Sequence, residues 1–407
     1  GLGLRELSGN RWKQQTKRKQ RRSRMSKFSF KILKQSSRSR ARLGIIETPH
    51  GIVETPGFVP VATNASLKSI DICTADELGC QLMFCNTYHL VLQPGTDIVE
   101  KMGGLHRFMN RKGALITDSG GFQIFSMLAG QLELEKNVGL KGAGDKKRPS
   151  RVMKVSRRDG VTFQSYRDGR KVTLSPESTV QAQKKLAADI IIPLDHLPPY
   201  SATRLDVEDS LEMTNHWEDR SLREHLDDPR DQAMYGVVHG ALEKDLRARS
   251  MDFISSRPFD GIAVGGSFGK DGHDLKQLLE FLAPLYPQDK PRHLLGIGDI
   301  PNIHQGILNG LDTFDSAYPT QIARRGAALQ GADKKYINLV NARFKTSDAP
   351  LSPDCECSTC KNYTCSYIHH LFKASEPMAA VLVTHHNIYQ MQQVMKVFRQ
   401  RILDDQI

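Results

Sequence analysis

The chain has 407 residues, 39% of them hydrophobic and 25% charged, with a formal net charge of +12. That length holds one large single-core domain with an attachment, or two ordinary domains, and the composition is that of a soluble globular protein. No apolar stretch approaches the roughly 18 residues of a membrane helix, which excludes a membrane-spanning class.

The charge is concentrated at one end. Residues 1–42 hold 15 Lys and Arg against one acid, Glu6, and carry +14. The run Lys17-Arg18-Lys19-Gln20-Arg21-Arg22-Ser23-Arg24 has no apolar periodicity, and residues 1–42 are expected to form a disordered basic tail. Such a tail suits nucleic acid. The simpler expectation is that residues 1–24 are an over-extended reading frame ahead of Met25, without which the net charge falls to +4. The tail lacks the apolar core of a secretory signal.

Residues 44–57 resemble a hairpin that could plug the bottom of a barrel. From residue 58 short apolar runs, each closed by a polar or glycine residue, precede helix-like stretches. They are Phe58–Ala62, Gln81–Cys85 before Asn86, Ala114–Thr117 before Asp118, and Asp189–Leu194 before Asp195. Met234–Val238 before His239, Gly261–Val264 before Gly265-Gly266, His293–Leu295 before Gly296 and Thr313-Phe314 before Asp315 complete the series. Buried strands alternating with helices mean βα units and a parallel sheet. Eight of them favour a (β/α)8 TIM barrel over a doubly wound sheet, and no Gly-x-Gly-x-x-Gly follows the first strand. The barrel is expected over 43–345, with an insertion at about 139–174 that carries basic residues and a hairpin signal at Tyr166–Arg170. Catalytic groups in such barrels stand at the C-terminal strand ends, here Asn86, Asp118, Asp195, His239 and Asp315. Each alone could be a helix cap. An aldolase-like barrel would show a lysine at such an end, and none does.

Residues 346–407 are expected to form a zinc-binding subdomain with a C-terminal helix. Four of the seven cysteines cluster there, which argues for a reducing compartment, expected to be the cytoplasm, and a metal over a disulfide framework. Cys355, Cys357 and Cys360 lie within six residues, and His385-His386 follows about one helix later. Three thiolates and one imidazole make a closed structural zinc set, one ion per chain. Spacing alone does not choose between the two histidines. Asn387–Ile402 reads as an amphipathic packing helix.

Taken in order, Asn86-Thr87-Tyr88-His89-Leu90, Thr117-Asp118-Ser119-Gly120-Gly121-Phe122-Gln123, Ala263-Val264-Gly265-Gly266, Phe314-Asp315-x-x-x-Pro319-Thr320, Asn341-Ala342-Arg343-Phe344 and the cysteine cluster resemble the tRNA-guanine transglycosylases. The likeness runs from about residue 40 to the C-terminus. It implies base exchange at the first anticodon position of tRNA, a 7-deazaguanine base as co-substrate, and a homodimer. Asp315 matches the family nucleophile, which would form a covalent ribosyl-aspartate, and Asp118 the general acid/base. Asp195 matches the carboxylate that grips the base, together with Ser119, Gly120, Gly121 and the backbone of Gly266. Phe122 and Leu295 match the residues that sandwich the flipped base. Gly296, Ile297, Gly298, Asp299, Ile300, Pro301 and Asn302, with Thr320, Gln321, Ile322, Ala323 and Arg324, fall where the family contacts RNA. His386 matches the fourth zinc ligand.

Several residues depart from the bacterial pattern. His239 stands where a glutamine usually binds the base's carbonyl, and Gln321 where an arginine is usual. Ser267-Phe268-Gly269-Lys270-Asp271 replaces Leu-Ala-Val-Gly-Glu, and Leu197 also differs. Glycine at the position of Gly269 marks members that accept the bulkier queuine, so queuine is expected as substrate, with its precursor preQ1 as the alternative. The rival reading is a non-catalytic tRNA-binding paralogue, against which Asp118 and Asp315 both stand. An archaeal-type member would carry a further C-terminal RNA-binding domain.

Overall fold

The computed structural model describes residues 28–136, 151–199, 201–269, 271–333 and 336–407. Most of the expected basic tail lies outside these residues, and so does the basic Lys146-Lys147-Arg148 of the insertion. The expectation of disorder fails for the rest of the tail. Strand β1 (Ser29–Gln35) pairs antiparallel with β2 (Arg42–Thr48), which pairs with β3 (Gly51–Thr55). Arg42 is the reason the order starts early. Its guanidinium is fully buried and meets both carboxylate oxygens of Asp312 at 2.9 and 2.5 Å. That contact ties residue 42 to the foot of a strand 270 positions away, which no local charge count can show.

The eight expected strands all form: β4 (Gly57–Pro60), β5 (Leu82–Cys85) and β6 (Ala114–Thr117), then, after the insertion strands β7 (Arg151–Ser156), β8 (Gly160–Gln164) and β9 (Lys171–Leu174), β10 (Ile190–Ile191), β11 (Ala233–Val238), β12 (Gly261–Val264), β13 (Arg292–Leu294) and β14 (Thr313–Ser316). The parallel order is β4-β14-β13-β12-β11-β10-β6-β5, and a parallel bridge from Val61 to Phe84 joins its two ends. The barrel is closed. Most strand residues are apolar because both faces are covered, and the buried polar exceptions include Arg292 and His293 on β13 and Thr313 and Asp315 on β14. Leu82, Phe84, Ile116, Tyr235, Val237 and Ala263 fill the interior, while Met83, Cys85, Leu115, Met234 and Val238 face the helices.

The β2–β3 hairpin closes the end opposite the polar strand termini. Ile46 and Val53 join the interior cluster from below. At the hairpin tip His50 Nδ1 lies 2.7 Å from Asp189 Oδ1, and His106 Nε2 lies 3.1 Å from Oδ2. Burial alone would raise the Asp189 carboxyl, but the two histidines and the Leu115 N–H hold it down at about 2. The two imidazoles stack at 3.5 Å, and the trio ties the hairpin tip to the foot of β10.

Strands β7, β8 and β9 form a separate antiparallel sheet, with the expected turn at Tyr166–Arg170 between the last two. After the barrel come a short ribbon of β15 (Ala327–Leu329) and β16 (Tyr336–Asn338) and three helices, Ser358–Asn362, Cys365–Lys373 and Pro377–Leu403. The last helix is longer than expected. Its first half packs on the C-terminal cluster through Ala379, Leu382 and Val383, and its second half enters the main barrel core through Met391, Met395, Phe398 and Ile402. No helix of the described residues is long and apolar enough to cross a membrane.

Candidate active site

The polar residues that end the barrel strands converge on one rim. Asp118 follows β6 and is held by two donors from the end of β5. Asn86 Nδ2 donates to Oδ2 at 2.9 Å and the Thr87 N–H to Oδ1 at 2.7 Å. Burial nevertheless pushes its carboxyl up to about 6, helped by the charge of Asp195 and opposed by these bonds and one from Gln123. A carboxyl so placed exchanges a proton near neutral pH.

Asp315 lies on β14 itself, 6% exposed. Its Oδ1 meets His293 Nε2 at 2.9 Å and accepts the Gly296 N–H at 3.0 Å. Nothing in the sequence singled out His293, whose place follows from the register His293↔Thr313 between β13 and β14.

A third carboxylate, Asp195, is 8% exposed and lies 2.8 Å from His239 Nε2. Ser119 Oγ reaches its other oxygen at 3.5 Å, and a Cβ on Gly121 would stand 3.0 Å from that same oxygen. Glycine is required at 121 for the close approach. Gly266 has φ +81°, and a Cβ there would meet His239 Nδ1 at 3.0 Å. His239 therefore gives one ring nitrogen to Asp195 and turns the other to Gly266. The expectation that it serves the base's carbonyl is met only through Nδ1, or after Nε2 leaves Asp195.

Behind this wall sits Arg247, also missed in the sequence because it is one of several cations in the helix Lys244–Ser255. Its buried guanidinium donates to the carbonyls of Val238, Ala241, Gly265 and Ser267 at 2.6–3.0 Å. Burial lowers its pKa to about 10, which leaves it charged. Four carbonyls from two loops are thus pinned to one planar group, which fixes the backbone on either side of His239 and Gly266. A small cavity of about 50 Å³ opens there, lined by His239, Gly266, Ser267, Pro198 and Leu211.

Phe122 is 63% exposed at the rim, and Leu295 borders Gly265, whose Cβ would stand 3.2 Å from it. Gly120, at φ +86°, lies against the Tyr88 backbone. The two runs expected to meet RNA divide. Gly296, Gln321 and Arg324 are exposed, whereas Gly298, Ile300, Thr320 and Ala323 are buried. Ile297, Asp299, Pro301, Asn302 and Ile322 are intermediate, and Asp299 caps the helix Ile300–Leu308 by accepting the Asn302 N–H. Arg324 is partly occupied, donating to the Thr320 carbonyl at 2.9 Å.

Away from the rim, Cys355, Cys357, Cys360 and His386 converge. Their sulfurs lie 3.6, 3.5 and 3.3 Å from His386 Nδ1. A tetrahedral ion bound through thiolates and imidazole would separate sulfur from nitrogen by about 3.5 Å. His386 Nε2 lies 2.8 Å from the Leu329 carbonyl, which as acceptor leaves Nδ1 free as ligand. His386 is the histidine that completes this cluster, whereas His385 lies 3.2 Å from the Ser358 hydroxyl.

The family model described as queuine tRNA-ribosyltransferase matches residues 36–407. The chain belongs to that family. A queuine tRNA-ribosyltransferase of Protochlamydia amoebophila is 49% identical over 385 residues, which cover 94% of this chain and 97% of the relative. One of Chlamydia caviae is 47% identical over 381 residues, covering 93% and 100%, and one of Chlamydia trachomatis is 47% identical over 379 residues, covering 93% and 99%. The match to queuine tRNA-ribosyltransferases thus spans the barrel and the cysteine cluster alike.

Proposed function

We propose that the protein is a tRNA-guanine transglycosylase that exchanges guanine at the first anticodon position for queuine, acting as a homodimer in the cytoplasm. The observation that carries the reading is a pair of carboxylates on one rim in opposite states of preparation. Asp315 has one oxygen held by two donors, and Asp118 has its proton affinity raised into the working range.

In the first half-reaction Asp315 Oδ2 bonds to C1′ of the ribose as the C1′–N9 bond breaks. The electron pair goes to N9 of guanine, which takes a proton from Asp118. In the second, Asp118 removes the N9 proton of the incoming base, N9 bonds to C1′, and the ester bond returns its electrons to Asp315. The strand is never cut. Asp195 faces the base's amidine edge, with Phe122 and Leu295 as stacking walls. The four C-terminal donors hold a structural zinc, which when bound staples the long helix to β15 and supplies no chemistry at the rim.

Incubating the protein with unmodified tRNA and labelled queuine or preQ1 tests the assignment. Queuine incorporation is expected, and incorporation of preQ1 but never queuine would reverse the choice of base. A protein that bound tRNA but exchanged neither would favour the non-catalytic paralogue.

A further inference from the structure

We propose that His293 is a positioning residue that commits Oδ1 of Asp315 to the protein and so leaves Oδ2 as the oxygen that bonds to the sugar. This rests on the nucleophilic role of Asp315 given above. His293 is a histidine among apolar inward positions of the barrel, fully buried, with Nδ1 2.8 Å from the Thr313 hydroxyl and Nε2 2.9 Å from Asp315 Oδ1. The bland alternative is a core histidine that merely satisfies itself. Against that, its two partners are residues i and i+2 of one strand face, and the second is the nucleophile.

A free carboxylate turns easily about its last torsion, because that sp³–sp² rotation is broad and two-fold. Here two donors, the imidazole and the Gly296 N–H, reach the same oxygen, and the imidazole plane is held by stacking on Phe84 at 6.2 Å and 19°. The carboxylate plane is therefore fixed before substrate arrives. When Oδ2 bonds to C1′, Oδ1 becomes the ester carbonyl and keeps both donors. When the ester breaks, they meet the returning negative charge. Thr313 completes the device. In the neutral imidazole, an Nε2–H that donates to Asp315 leaves Nδ1 as the acceptor, and the Thr313 hydroxyl is the donor in reach.

The test uses the full chain in single-turnover reactions with unmodified tRNA, following the denaturant-resistant protein–RNA adduct. His293→Phe keeps a ring and loses the N–H, His293→Gln keeps an amide N–H, and Thr313→Val removes only the hydroxyl. The adduct is expected to form about 10²-fold more slowly in His293→Phe, with the KM for tRNA unchanged and a recovery of at least about ten-fold in His293→Gln. Thr313→Val is expected to be about ten-fold slow while still folded, with only a modest fall in melting temperature from the lost buried hydrogen bond, and it carries the decision if His293→Phe fails to fold. Adduct formation at the wild-type rate in folded His293→Phe, or in Thr313→Val, would overturn the inference. So would equal impairment of the Phe and Gln variants alongside equal thermal destabilisation, the mark of a packing role. If the wild-type protein itself forms no adduct, the nucleophile assignment is what has failed.

Discussion

His239 Nε2 and Asp195 Oδ2 lie 2.8 Å apart at the junction of two barrel strands, both almost fully buried. The residue expected to stand where a glutamine is usual is thus a partner of the carboxylate proposed to grip the base. Removing the ring by His239→Ala should free the Asp195 side chain and raise the KM for the incoming base by about ten-fold, with a smaller effect on kcat. His239→Gln should restore most of it. Steady-state kinetics against base concentration reads this directly, and a fall in kcat at constant KM would refute it.

Asp118 makes a prediction about stability with a definite sign. Its carboxyl titrates at about 6 in the folded protein, above the ordinary 3.8, so folding favours the protonated form. The stabilisation is fully present below pH 4 and is lost as pH rises through 6. Asp118→Asn should therefore abolish exchange while raising stability at pH 7 by on the order of 2 kcal/mol, less whatever the Asn86 and Thr87 bonds lose. Thermal unfolding at pH 7 and pH 4 checks it, since the gain should vanish at the lower pH.

Gly269 separates two accounts of base choice. Its φ is +88°, and a Cβ there would fall 2.3 Å from the Asp274 side chain. The glycine is thus demanded by backbone conformation and by the neighbouring helix, a reason for it separate from making room for the bulkier queuine. Gly269→Ala should lower use of queuine and preQ1 in parallel and cost about 1–2 kcal/mol of stability. A selective loss of queuine with preQ1 intact would restore the room-making explanation.

The C-terminal cluster should bind one zinc per chain, measured by elemental analysis of purified protein. His386→Ala is expected to release it and to destabilise the protein by about 3 kcal/mol or more. The reason is positional. Asn387, the next residue, donates to the carbonyls of Pro319 and Ala327 and accepts the Leu329 N–H, so the metal segment grips the chain just after β14. Full zinc retention in His386→Ala would contradict the ligand assignment.

How much of this was legible beforehand follows from where each signal resides. The eight strands could be read because each is a local apolar run with a polar terminator, and Asp118 and Asp315 because they are those terminators. The order of residues 29–42 could not, since Arg42 is held by Asp312 across the whole barrel. Nor could the role of His293, which a strand register creates, or that of Arg247, which differs from its solvated neighbours only in what folds over it. The C-terminal helix was read as Asn387–Ile402 and runs from Pro377, because proline suits a first helical turn and the apolar stripe shifts from one core to another midway.

The most direct test of the central claim is to denature the protein during exchange and look for tRNA bonded to it. The adduct should form with guanine-bearing tRNA, break down when queuine is added, and be absent in Asp315→Asn. Finding base exchange without any adduct, or an adduct that survives Asp315→Asn, would contradict the assignment of Asp315 as the residue that holds the sugar.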